Sequence, residues 1–299
     1  MFELKPFTRK FSKPIVVGKK VLTKREGFYI CKNGEPISEC SPLPGLSLES
    51  ISHCEQYFYL HQSKILAYLN NGFLLNNCPA ALAFALDTIK YNLFESKTSI
   101  NLKLNTLILD WKTMSMSSED IVKIKLGRKP FEDDLAFIKQ LKTNTKIRFD
   151  CNRSWHIDEA IIFFENAKHL MIEYVEEPLI NSNQLSELYK MTKLPIALDE
   201  SINLEHNYNL AHQFPVKALV IKPSCLGFID PILNLVKKKV PYQFVFSSCF
   251  ETELGIWAIA NLANRLNPHG THGLNTIHYF NSNFEHLFKI DDNHLICLN

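Results

Sequence analysis

Net charge is nearly absent from this chain: 33 lysines and arginines face 31 aspartates and glutamates, a formal +2. That balance, with a pI near 8.0, argues against a dedicated nucleic-acid surface. No uninterrupted apolar stretch reaches transmembrane length. Residues 1–30 carry dispersed basic residues without a long apolar h-region, so neither a signal peptide nor a membrane partner is expected. The eight cysteines (31, 40, 54, 78, 151, 225, 249 and 297) form no Cys-x-x-Cys pair and no regular framework. They read as reduced core or near-site thiols of a cytoplasmic protein. His-x-His and His-Glu-x-x-His motifs are missing too, which counts against zinc. The Gly-rich phosphate turn of a dinucleotide-binding unit is also missing.

What is present is a rhythm. Lys125, Asp150, Glu176, Asp199 and Lys222 each end an apolar run, at intervals of 25, 26, 23 and 23 residues. The runs are 121–125, 147–150, 170–176, 195–199 and 218–222, and a sixth, 243–247, follows 25 residues after Lys222. Short β-branched and aromatic runs of this kind suit buried parallel strands. Helical spacing fills the intervals: 131–141, 157–167, 185–191, 231–236 and 252–266. The second of these opens with Asp158 and Glu159 and ends near Lys168 and His169, as the helix dipole favours. Leu107–Trp111 reads as a preceding strand. This alternation predicts a (β/α) barrel, with a doubly wound open sheet as the structural alternative.

Residues before about 95 follow another pattern. Ile15-Val16-Val17 and Phe28-Tyr29-Ile30 flank Lys24-Arg25-Glu26-Gly27 and suggest paired strands. Leu48–Leu69 and Pro79–Tyr91 read as helices, with Tyr57-Phe58-Tyr59 as packing residues, so the segment is an α+β unit. Leu287–Ile290 and Leu295–Leu298 look like short strands that return to it. His53, Cys54 and His61 could suggest a metal site, but a helix-like stretch makes them surface or packing residues. Lys237-Lys238-Lys239 reads as a solvated helix end.

A lone charged residue at a strand end is usually a solvated loop residue. Five in register are different, because a barrel directs the C-terminal ends of its strands to one mouth. Three carboxylates packed together raise one another's pKa, a penalty that a hard cation with oxygen ligands removes. Lys123 and Lys125 stand at i and i+2 on a strand and share a face. Two ammonium groups at close range lower each other's pKa, which suits one of them to act as a general base. The outer alternative for Lys123 is a snorkelling surface side chain.

In order along the chain, Lys123-Ile-Lys125, Asp150-Cys-Asn-Arg153, Glu176-Glu-Pro178, Leu198-Asp-Glu-Ser201 and Ile221-Lys-Pro223 resemble the signature of the enolase superfamily. They fit its muconate-lactonizing-enzyme-like branch, which has a lysine on each side of the site. Three stretches add a resemblance to the o-succinylbenzoate synthase family of menaquinone biosynthesis: Asp150–Trp155, Ser247–Gly255 and Gly273-Leu-Asn-Thr276. The resemblance implies an α/β fold, a modified TIM barrel (β/α)7β with an N-terminal α+β capping domain. The expected limits are 1–97 for the cap, 98–283 for the barrel, and 284–299 for a tail that returns to the cap. Loops near Gly18–Lys24 and Ser47–His53 would close over the mouth.

The same resemblance implies roles. Asp150, Glu176 and Asp199 match the ligands of Mg²⁺, with Mn²⁺ as a substitute; the Glu-x-Pro motif, not the period, selects Glu176 over Glu177. Lys125 matches the base that removes an α-proton and returns it to the departing hydroxide. Lys222 matches the lysine that stabilises the enediolate from the other face, and Lys123 would tune Lys125 or touch the substrate carboxylate. Asn152 and Arg153 are expected around the metal and lysines, and Ser247 and Ser248 at the succinyl tail of a small carboxylate substrate. Asn275 stands where an acid is usual. The implied reaction is dehydration of 2-succinyl-6-hydroxy-2,4-cyclohexadiene-1-carboxylate to o-succinylbenzoate. Alternatives on the same apparatus are an N-acylamino-acid racemase, a dipeptide epimerase or a muconate cycloisomerase. The Asp-x-Asp usual in dipeptide epimerases is missing between Ser247 and Asn281. A non-catalytic binding barrel is the alternative of another class, and oligomeric state stays open.

Overall fold

The computed structural model describes residues 2–95, 99–109, 121–238, 240–281 and 287–298. The chain divides into two compact units: Met1–Lys103 with Lys222–Val240 and Phe246–Asn299, and Leu104–Ile221 with Pro241–Val245. The domain limits expected at 97/98 and 283/284 lie outside the described residues, as do the last two residues of the strand expected over Leu107–Trp111.

In the second unit the period becomes a parallel sheet. Its strands are β5 (Thr106–Ile108), β6 (Val122–Lys125), β7 (Ile147–Asp150), β8 (Ile172–Glu176), β9 (Ile196–Leu198), β10 (Ala218–Ile221) and β11 (Gln243–Phe246). Each strand lies beside its neighbour in the sequence, from β5 to β11 without reversal. A doubly wound sheet needs a reversal point, so the order is that of a barrel. Helices α4 (Phe131–Gln140), α5 (Ile157–Ala167) and α6 (Leu185–Thr192) fill the intervals where helical spacing predicts them. At the start of α5 the Glu159 carboxylate accepts from His156 N (2.7 Å), which completes a capping box. Between β9 and β10 the chain makes only the one-turn α7 (Glu200–Asn203) and a 3-10 turn, Tyr208–His212.

The first unit opens with an antiparallel sheet of β1 (Phe2–Val17), β2 (Lys20–Lys32) and β3 (Glu35–Cys40). Its first turn is not at Lys24–Gly27. Val17 pairs with Lys20 around Gly18-Lys19, and Lys24–Gly27 run inside β2 opposite Lys10–Phe7. Gly18 takes the positive φ (+54°) that the tight reversal requires, while Arg25 is a buried strand residue between exposed Lys24 and Glu26. A Cβ on Gly18 would lie 2.8 Å from Gly45 O, so the hairpin tip and the 44–47 turn approach backbone to backbone.

The single helix expected over Leu48–Leu69 is two. Ser50 Oγ caps α1 (Ile51–Leu60) by accepting from His53 N (3.2 Å). His61, at φ −120° and ψ 24°, then breaks the chain before α2 (Gln62–Asn71). Tyr57 and Phe58 are buried with Cys54, Ile65, Leu82 and Leu86, but Tyr59 is exposed and packs no core. The helix α3 (Ala80–Lys90), buried from Ala81 to Thr88, runs through this core. Among the described residues no cluster of His, Cys, Asp and Glu here could hold a metal. All eight cysteines are unbridged.

The same unit holds α8 (Pro223–Leu226), α9 (Asp230–Lys237) and α10 (Glu253–Leu266), then β12 (Thr271–His272). The tail forms a hairpin of β13 (Phe288–Asp291) and β14 (His294–Cys297). β14 pairs with β4 (Asn101–Leu104), Leu295 opposite Leu102, and not with the sheet β1–β3. The fold is therefore α/β, a modified TIM barrel with an N-terminal α+β part. Among the described residues no helix is long and apolar enough to cross a membrane.

Candidate active site

Strand register builds the site in two layers. Lys123 pairs with Arg148, and Arg148 with Tyr174; two residues further on, Lys125 pairs with Asp150 and Asp150 with Glu176. Side chains two apart share a face, so all six point to the same side of the sheet. The opposite side carries Ile124 and Phe149, and Phe149 packs edge-on to Phe163 of α5 (5.3 Å). The inner layer is filled by the Arg148 guanidinium, 5.0 Å from the Tyr174 ring, and tied to Glu173 (2.6 Å). The outer layer, at the C-terminal ends of the strands, is charged.

Lys123 Nζ lies 2.8 Å from Asp150 Oδ2 and 2.7 Å from Glu176 Oε2. Lys125 Nζ lies 2.7 Å from the same Asp150 oxygen and donates to Asn152 Oδ1 (2.7 Å). Asp150 and Glu176 are fully buried. Lys123 is thus no surface lysine; its ammonium bridges two carboxylates. On the next strand Asp199 caps α7, and Asn203 Nδ2 donates to its Oδ1 (2.8 Å), its main-chain oxygen (2.9 Å) and Val220 O (2.7 Å).

A ring of polar residues holds these ends. Asn152 and Arg153 both adopt positive φ (+44° and +58°), which turns the chain sharply after β7. Asn152 Nδ2 donates to Glu200 Oε1 (2.9 Å), so this amide links Lys125 to α7. Arg153 reaches Glu177 Oε2 (3.1 Å), Ser201 Oγ (2.7 Å) and Glu205. Glu177, buried and at φ +40°, accepts from the main-chain nitrogens of Asp199 (3.0 Å) and Ser201 (2.8 Å). Burial pushes its carboxyl up, against the opposing pull of Arg153 and those donors. Glu177 therefore fixes the start of α7 and the Asp199 backbone. Sequence spacing gave Glu177 no role of its own and passed over Glu200 and Asn203. The Glu-Glu-Pro run after β8 and the Asp-Glu-Ser run after β9 are the only hints of Glu177 and Glu200, and nothing points to Asn203. Trp155 ends the segment, packed on Phe163 (4.6 Å) and Phe131 (5.7 Å).

Lys222 directly follows β10, and its carbonyl accepts from Cys225 N and Leu226 N (2.9 Å each) at the start of α8. Ser247 and Ser248 directly follow β11. Ser248 N donates to Gly273 O (3.0 Å), and its hydroxyl meets that of Thr276 (2.7 Å). Lys222, Ser247 and Ser248 are each buried.

Residues 112–234 match the family model described as Enolase C-terminal domain-like. That stretch is similar to the enolase C-terminal domain. It is 27% identical to the o-succinylbenzoate synthase of Pasteurella multocida (strain Pm70), over 92% of this chain and 89% of that one. It is 28% identical to the o-succinylbenzoate synthase of Escherichia coli (strain SMS-3-5 / SECEC), over 88% and 86%. In fold it is similar to the o-succinylbenzoate synthase of Thermosynechococcus elongatus BP-1, described as complexed with Mg in its active site. There the TM-score is 0.67, at 23% identity and 94% of both chains. It is also similar to the L-Ala-D/L-Glu epimerase of Bacillus subtilis (TM-score 0.79, 17% identity, 100% of this chain and 96% of that one).

The donor set at these strand ends suits a hard divalent cation. Asp150, Glu176 and Asp199 end three adjacent strands and offer only oxygen. The first two are already arranged around positive charge, that of Lys123. As they stand, the acids do not enclose an ion: among the described residues no three metal-binding side chains converge closely enough. The Lys123 ammonium stands between Asp150 and Glu176, so cation binding there and the Lys123 contacts are coupled.

Proposed function

We propose that this chain is an o-succinylbenzoate synthase, dehydrating 2-succinyl-6-hydroxy-2,4-cyclohexadiene-1-carboxylate to o-succinylbenzoate in menaquinone biosynthesis. It is a Mg²⁺-dependent carbon–oxygen lyase working in the cytoplasm. The observation that carries the reading is the charged outer layer: Lys125 beside Asp150, with Glu176 and Asp199 on the next two strands. Relatives named for this reaction, alike over most of their length, support the substrate.

Asp150, Glu176 and Asp199 would hold the ion, which supplies positive charge to a substrate carboxylate. Lys125 is the base. Its ammonium lies against Asp150 and Asn152, so both neighbours fix its direction. It takes the α-proton and then protonates the leaving hydroxide, which departs as water while the ring becomes aromatic. Lys222 lowers the energy of the anion that develops on the carboxylate. Lys123 holds Asp150 and Glu176 in place, Asn152 and Arg153 position the β7 and β9 ends, and Ser247 and Ser248 receive the succinyl tail.

The test follows the ultraviolet absorbance of the cyclohexadiene with purified protein. The diene disappears with Mg²⁺, more slowly with Mn²⁺, and persists with chelator or with Lys125→Ala. A wild-type protein that leaves the diene intact but exchanges the α-proton of dipeptides or N-acyl amino acids in deuterium oxide is an epimerase or racemase instead.

A further inference from the structure

Within the first unit, the turn that carries Lys222 and the turn that carries Ser247 and Ser248 meet at one buried side chain. Glu251 is 2% exposed. Its Oε1 accepts from Ser224 Oγ (2.5 Å), two residues after Lys222. Its Oε2 accepts from Cys249 N (2.6 Å), one residue after Ser248. The Sγ atoms of Cys225 and Cys249, 3.4 Å apart, join the same two turns one step away. Between Cys249 and Glu251 the chain reverses through Phe250 at φ +57°.

This carboxylate is costly to keep. Burial pushes it up from the usual range, Glu39 adds to that, and Arg25 and the Ser224 hydroxyl oppose it. The surrounding contacts are arranged to hold it. Arg25 Nε donates to Phe250 O (3.0 Å), and its other nitrogens reach Pro42 O (2.7 Å) and the Ser41 carbonyl. Glu39 Oε2 accepts from Thr252 Oγ1 (2.5 Å) and from Gly255 N (3.0 Å), at the N-terminus of α10. A Cβ on Gly255 would fall 2.6 Å from Glu251 Cβ, so the helix leaves no room for the side chain to swing away. A merely structural linker here could be apolar and more stable. A carboxylate with one oxygen on each of two turns does something an apolar side chain cannot: it fixes their mutual register.

We propose that Glu251 is a positioning residue that sets the Lys222 turn against the Ser247–Ser248 turn. It rests on the proposed dehydration for its catalytic consequence: Glu251 acts on the developing anion through Lys222 and touches no reacting atom. With Glu251→Gln, the remaining oxygen can still accept from Cys249 N, but the charge-assisted tie to Ser224 becomes at best a neutral bond from the amide NH₂ to the hydroxyl oxygen, so that tie is weakened. Ser224→Ala cuts the same tie from the other end with little risk to folding.

Two readouts decide it. The first needs no turnover: reductive methylation of the folded protein with formaldehyde and borohydride, resolved by peptide mass spectrometry. In Ser224→Ala and Glu251→Gln, Lys222 is labelled several times faster than in wild type, while Lys5 and Lys10 of β1 keep their rates. The second is a double-mutant cycle on kcat. Glu251→Gln lowers kcat by about tenfold or more in the wild-type background, as a displaced catalytic group does. In a Lys222→Ala background it adds less than about twofold, because the group it positions is gone. Equal labelling of Lys222 in Ser224→Ala and wild type overturns the proposal, and so do additive losses in the cycle. If the wild type leaves the diene untouched, the dehydration reading falls, and the labelling arm still decides what Glu251 does.

Discussion

Lys123 and Lys125 are two residues apart on one strand, yet their surroundings give them different work. Lys123 is buried against both Asp150 and Glu176. Lys125 shares Asp150 with the Asn152 amide and is the more open of the two. A buried cation between two carboxylates stabilises them only while it is there. Removing one partner of such a set typically costs about 3 kcal/mol, because charge is left uncompensated. Lys123→Met is therefore expected to lower thermal stability sharply in chelator. Added Mg²⁺ should then raise the melting temperature of the variant more than that of wild type, since the ion no longer competes with the Lys123 ammonium for Asp150 and Glu176, and Lys125 contests Asp150 equally in both proteins. Equal Mg²⁺-induced shifts in the two proteins would remove Lys123 from the cation site. Lys125→Ala, in contrast, should abolish turnover and leave the metal-induced shift in place.

At the scale of single elements, the turn after β6 shows how tightly the strand ends are held. Gly127 sits at φ +71°, its nitrogen donating to Asp134 Oδ2 (2.7 Å) in the first turn of α4. A Cβ there would overlap Ser154 Oγ and lie 2.8 Å from Cys151 O, on the segment that carries Asn152 and Arg153. Gly127→Ala thus combines a left-handed backbone with a clash and should cost about 2 kcal/mol or more, read from the urea midpoint. It should also slow turnover, because Asn152 is displaced from Lys125. The sequence carried the strands β6 to β10 well, because each is an apolar run, largely buried, that ends at or just before a charged residue. It was silent where side chains answer to distant partners. Lys24–Gly27 looks like a turn by composition, but Arg25 is drawn into β2 by the carbonyls of Ser41, Pro42 and Phe250. The break at His61 has no Pro or Gly to announce it. Glu177 and Glu176 are neighbours of the same type, and only the backbone reversal at Glu177 assigns them different partners.

Across the whole molecule, each unit buries, besides Glu251 and Glu177, an aspartate whose proton it holds more tightly than the unfolded chain does. Asp87 on α3, fully buried, is pushed up to about 6 by burial, against hydrogen bonds from Tyr68 and from Ile229 N (2.7 Å). Asp134 on α4 is likewise pushed up to about 6 by burial, with Gly127 N opposing. The direction of the pH effect follows from linkage. Between the unfolded value of 3.8 and the folded value near 6 the folded chain binds more protons than the unfolded one. Stability contributed by these groups is therefore fully present below pH 3.8 and is lost as pH rises through about 6. For Asp87 the loss amounts to about 3 kcal/mol at most. Urea unfolding of wild type and Asp87→Asn at a series of pH values isolates the effect. The stability difference, wild type minus variant, should decline between pH 4 and pH 7 and then level off. Asp134→Asn should repeat the pattern through the other unit, and a difference that stays flat across that range for both variants would mean that neither carboxyl holds its proton in the folded protein.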